Sequence, residues 1–230
     1  MTTISSDLPA RRAIPLEANP DSFNKLAAEF GLDTSVVCFH DVLGFDDDLL
    51  ALVPQPIYAC VLLYPGYEDT MHRKQKVDGT VDRSSLVHFR QRVMNQCGTM
   101  ALLHTLANTP GIPLRDGPIK QLFRESVGLP MDEAAELLDA LDISASHTAA
   151  ALSGQSETPP NDVHPEGAFS SFIAYDGQLV ELDGWNDKPH LHGPIARDLI
   201  HSVIEVVKDI MEMKQIIRFT LLALAPATAD

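Results

Sequence analysis

Three residues of this chain have the types and spacing to act on an acyl group. Cys97 stands in "FRQRVMNQCGTMALLHTL", with Gln91 six positions before it, and Asp183 stands far downstream in "LVELDGW". A cysteine in the first turn of a helix has backbone N–H groups and the positive end of the helix dipole beside it. Both lower the thiol pKa and stabilise an oxyanion formed at that place. Gly98 lets another backbone approach closely, and a Gln91 amide can donate to the same oxyanion. Asp183 can orient an imidazole. Each residue also has a plain structural reading: Cys97 as a packed core side chain, Asp183 as a turn former before Gly184.

The nine histidines are His40, His72, His88, His104, His147, His164, His190, His192 and His201. His104 lies seven positions after Cys97 on the same expected helix. That is about 10 Å along the axis, beyond a direct hydrogen bond. His190 and His192 could share a metal, but no third ligand of suitable spacing accompanies them, so no metal or cofactor is expected. No glycine-rich phosphate loop is present, and no basic, aromatic-rich surface for nucleic acid.

The elements that must position these residues read as one α+β domain. Residues 1–12 read as a flexible tail and 13–230 as a single domain. "NPDSFNKLAAEFGL" predicts a helix capped by Asn19 or Asp21 and ended by Gly31. "VVCFHDV" predicts a strand, "FDDDLLALVP" one or two helical turns, and "IYACVLLYP" a buried central strand. A helix is expected from Asn95 or Gln96 to about Asn108, then two more over "LRDGPIKQLFRESVGLP" and "MDEAAELLDALD". Residues Ile143 to Ala168 are Ser, Thr, Pro and Gly-rich without a clear period, which predicts a long loop. Asp176-Gly177 between "FSSFIAY" and "QLVELDG" predicts a hairpin. A late amphipathic helix and a last strand, "IRFTLLALAP", complete the sheet.

Composition bounds the function. The 230 residues are 45% hydrophobic with a net charge of -15, so nucleic acid and anionic membranes are poor partners and a basic protein is a good one. Three unevenly spaced cysteines are not a disulfide framework, and the opening residues hold no apolar signal region. A reducing compartment, cytoplasm or nucleus, is expected, with the chain a monomer.

Five blocks in order carry a resemblance: "PLEANPDSFNKLAAEFGL", "FHDVLGFDDDLLALVPQPIYACVLLYP", "FRQRVMNQCGTMALLHTLAN", "VELDGW…GP" and "IEVVKDIM…IRFTLLALAP". Together they resemble the ubiquitin carboxyl-terminal hydrolases, cysteine deubiquitinases of papain-like fold. That resemblance implies a mostly antiparallel central sheet flanked by helices, with a long loop crossing the active site at roughly Ser146–Pro165. It implies Cys97 as nucleophile, Gln91 as oxyanion donor and Asp183 as orienting acid. It also implies ubiquitin, or a ubiquitin-like protein, as partner, with hydrolysis at the C-terminal glycine that releases small adducts. The family's histidine starts the strand before the hairpin. Here that strand reads "GAFSSFIAY", and alignment on it puts Ser170 or Ser171 in the histidine's place. A serine cannot act as a base near pH 7. His164 is the nearest histidine and the candidate substitute; without a base the same architecture would bind ubiquitin and not cleave it.

Overall fold

The computed structural model describes residues 11–64, 80–154, 167–214 and 218–228. Asn19 caps α1 (Pro20–Glu29), its side-chain oxygen accepting the Ser22 N–H at 2.8 Å. Phe23, Leu26 and Ala27 form the buried stripe of that helix, and Gly31, at φ 102°, ends it. The chain continues through β1 (Val37–Asp41), α2 (Asp47–Leu50) and β2 (Ala59–Tyr64) to α3 (Cys97–Asn108). Then come α4 (Pro118–Ser126), α5 (Met131–Asp139) and α6 (Ser144–Ala151). β3 (Ala168–Tyr175), β4 (Gln178–Leu182), β5 (His190–Pro194), α7 (Leu199–Lys214) and β6 (Thr220–Pro226) follow.

The strands form one six-stranded sheet in the order β1-β6-β2-β3-β4-β5, with antiparallel pairing throughout the described residues. The β3–β4 hairpin turns on Asp176 and Gly177, at φ 48° and 73°. Two left-handed residues in a two-residue loop match the twist of the flanking strands. Alternation along each strand then divides the core. Phe39, Val61, Phe169, Ile173, Val180 and Leu224 join the layer of α1 and α3 to α6. Cys60, Leu62, Phe172, Leu179 and Ala223 join the layer of α7. Fold and order agree with the α+β, papain-like expectation.

Three local readings change. The first part of the expected long loop, Ser144–Ala151, is helical, and its remaining stretch, 155–166, lies outside the described residues. "HLHGP" forms the edge strand β5, which sequence reasoning missed. Arg11 and Arg12, counted with the tail, are held: the Arg11 carbonyl accepts the Met94 N–H at 2.9 Å, and Arg12 bridges Met94.

Candidate active site

α3 is buried along nearly its whole length, with every residue from Gly98 to Leu106 in the core. Two of its threonines are satisfied there by side chains of neighbouring elements. Thr105 reaches Ser171 at 2.8 Å, and Thr99 reaches His147 at 2.6 Å. The helix starts at Cys97, and Gln96 before it makes no side-chain cap. The free N–H groups of the first turn are therefore open to the cysteine itself. The backbone N–H groups of Phe169, Gly98 and Cys97 itself act on the Cys97 sulfur and favour its thiolate.

Two influences compete at this thiol. Burial disfavours the thiolate and raises the pKa, while the three N–H groups favour it; the Asp183 charge adds a further upward push. Burial wins, and the thiol stands above its ordinary value. The Asp183 effect also places that carboxylate within electrostatic reach of the sulfur. Gly98 permits α3 to lie close to Leu16 and β3, since a Cβ there would stand 3.1 Å from the Leu16 Cβ and 3.3 Å from the Phe169 ring.

Gln91 and Asp183 come together through backbone. The Gln91 N–H donates to the Gly184 carbonyl at 2.8 Å, and the close fit requires a glycine, since a Cβ at 184 would lie 2.6 Å from the Gln91 Cβ. The buried Gln91 side-chain amide donates to the Val93 carbonyl at 2.8 Å. The Asp183 carboxylate organises its own turn. Oδ1 accepts the Trp185 and Asn186 N–H groups at 2.7 and 2.8 Å, and Oδ2 accepts from the Asn186 amide at 2.5 Å. The turn-former reading of Asp183 holds, and its carboxylate lies within electrostatic reach of Cys97 as well.

From β3 it is the Phe169 backbone N–H that acts on the sulfur, with the Phe169 ring against Gly98. Ser171 lies two turns further along α3, against Thr105. Ser170 alternates with Phe169 and so falls on the opposite side of the sheet, the side of Phe172. His164 lies outside the described residues.

Other thiols and imidazoles have different surroundings. Cys38 Sγ lies 3.2 Å from His40 Nε2, a pair that the i, i+2 spacing on β1 could have revealed. That Nε2 donates to the Pro226 carbonyl at 2.9 Å, so it already carries its proton and cannot take one from the thiol. Burial pushes the Cys38 and Cys60 thiols up. His192, one of the pair weighed as metal ligands, bonds the buried Glu181 at 2.8 Å. Among the described residues no three His, Cys, Asp or Glu side chains gather as a metal site, and no helix is long and apolar enough to cross a membrane.

Residues 13–212 match the family model described as ubiquitin carboxyl-terminal hydrolase, family 1. The chain belongs to the ubiquitin carboxyl-terminal hydrolases. It is 34% identical over 205 residues to "Ubiquitin carboxyl-terminal hydrolase" of Aplysia californica, covering 87% of this chain and 95% of that one. It is 31% identical over 237 residues to "Ubiquitin carboxyl-terminal hydrolase 3" of Arabidopsis thaliana, covering 99% of this chain and 100% of that one. Among solved structures it resembles the Trichinella spiralis UCH37 catalytic domain bound to ubiquitin vinyl methyl ester, at TM-score 0.74 and 19% identity. That match covers 94% of this chain and 96% of the other, and shows a shared fold.

Proposed function

We propose that this family member is a thiol-dependent deubiquitinase that hydrolyses ester, thioester, amide or peptide bonds at the C-terminal glycine of ubiquitin. The observation that carries the reading is the Cys97 sulfur, set at a helix N-terminus among three N–H groups and within electrostatic reach of Asp183, whose neighbour Gly184 pairs with Gln91. The Cys97 thiolate attacks the glycine carbonyl, and the C–S bond forms as the carbonyl electrons move onto oxygen. The same N–H groups, with the Gln91 amide, hold that oxyanion. Collapse expels the leaving group, which takes up a proton, and water then cleaves the thioester to return the thiol. The net charge of -15 suits a basic partner surface.

Proton transfer needs an imidazole, worth about 10² to 10⁴ in rate. The side chain of Phe169 cannot supply it, so the role is assigned to His164, three positions before the described chain resumes at Gly167. A fluorogenic amide at the ubiquitin C-terminus tests the reading. Turnover lost in Cys97→Ala, and reduced at least 10²-fold in His164→Ala, supports it. Tight ubiquitin binding by a chain that turns nothing over would instead assign a ubiquitin-binding homologue without a base. Neither binding nor turnover would overturn both.

A further inference from the structure

A second polar cluster lies behind the candidate site, and the mechanism above does not use it. His88 is 1% exposed and His104 is fully buried. Their rings meet edge to face with centroids 5.1 Å apart. His88 Nε2 lies 2.7 Å from the Asp183 carbonyl oxygen, so Nε2 carries the proton and donates it. His104 Nε2 faces the Phe89 backbone, 3.0 Å from its nitrogen and 3.2 Å from its carbonyl oxygen. Neither Nδ1 meets a protein hydrogen-bond partner. Two opposed imidazoles in the core, with no carboxylate on either inner nitrogen, stay neutral.

The contacts of His88 define a role. The Asp183–Gly184 turn meets the segment before Cys97 through two hydrogen bonds: Gln91 N–H to the Gly184 carbonyl, and His88 Nε2–H to the Asp183 carbonyl. His104 braces the same segment from α3, through the Phe89 backbone. The carbonyl that His88 holds belongs to the residue whose carboxylate binds the Trp185 and Asn186 N–H groups.

We propose that His88, as a neutral Nε2–H donor backed by His104, is a positioning residue that fixes the Asp183 turn against the segment leading to Gln91 and Cys97. Its effect on turnover rests on the deubiquitinase reading; its effect on the turn does not. The groups facing it are the Asp183 carbonyl and carboxylate, Arg83, Arg90 and His104. Burial and the two arginines oppose a charge on the ring, and burial dominates over the Asp183 charge and carbonyl, which favour one.

The test compares His88→Phe, which keeps a ring and removes the donor, with His88→Gln, whose amide N–H reaches about as far as Nε2. Hydrogen exchange of the Trp185 and Asn186 amides reads the turn directly, and Trp185, the single tryptophan, gives a fluorescence signal for the same turn. Loss of one buried hydrogen bond corresponds to about tenfold. His88→Phe should therefore raise both exchange rates about tenfold and lower kcat on the ubiquitin amide about tenfold, with KM within about twofold, while His88→Gln stays within about threefold of the parent. Unchanged exchange in His88→Phe, or His88→Gln behaving as His88→Phe does, overturns the proposal. If the parent turns nothing over, exchange alone decides. If His88→Phe does not fold, His88→Gln decides: parental exchange supports the role and accelerated exchange overturns it.

Discussion

The thiol of Cys97 is governed by what touches it. Three N–H groups pull its pKa down, burial pushes it up, and burial prevails. In the free protein its thiolate fraction is therefore small at neutral pH and still growing past pH 9, the ordinary value of the group. Alkylation of Cys97 by iodoacetamide, followed by peptide mass, should climb about tenfold per pH unit from 7 to 9 and continue upward. A rate already at its plateau below pH 8 would contradict this and reveal a thiolate–imidazolium pair. At this scale the sequence was informative about identity and weak about neighbours. Type, spacing and family pattern singled out Cys97, Gln91 and Asp183, and the structure puts Asp183 within electrostatic reach of Cys97 and Gln91 against Gly184. That the Phe169 backbone N–H would meet the sulfur was not legible, because the register of β3 is set by its pairing with β2, Leu63 opposite Phe169, and not by local composition.

The elements matter by how closely they approach. The turn after β4 meets the segment before α3 with no room for a side chain at 184, where a Cβ would stand 2.6 Å from the Gln91 Cβ and 3.1 Å from its nitrogen. Gly184→Ala must displace Gln91 or the turn. We expect a loss of about 1 to 3 kcal/mol in thermal or urea unfolding, and a fall in kcat greater than in KM. Gly117→Ala, where nothing lies within 4 Å of the added Cβ, should stay within about 0.5 kcal/mol and serves as the control. Parental stability and kcat in Gly184→Ala would contradict the described contact. The elements read well where a period or a turn signal existed: α1 with its Asn19 cap, the apolar β2, the Asp176-Gly177 hairpin. They read poorly where burial comes from polar pairs. β5 is held by His192 on Glu181, and α6 by His147 between Thr99 and the Ile14 carbonyl. Neither has an apolar pattern to find.

The whole molecule is tuned to neutral pH by buried imidazoles. Burial lowers His88 to about 4 and lowers His104 and His147 as well, so all three fold as neutral groups. The unfolded chain binds their protons near pH 6.5 and the folded chain does not. Their contribution is complete above that value and is lost as pH falls toward 4. Each proton so linked costs about 1.4 kcal/mol per pH unit. The thermal midpoint should fall steadily from pH 6.5 to 4.5, before the lowered carboxyls of Asp33, Asp116 and Asp142 begin to titrate. His88→Gln should flatten the slope by about one proton, and a midpoint independent of pH over that interval would contradict the neutral assignment. The claim on which the functional account turns is that Cys97 takes the ubiquitin acyl group and passes it to water. It is tested most directly by quenching the chain in acid during turnover of a ubiquitin C-terminal amide and measuring its mass. The account predicts one ubiquitin acyl group on the Cys97 peptide, released by hydroxylamine and absent from Cys97→Ala. A folded chain that acquires no adduct, or one that carries it on Cys38, would contradict it.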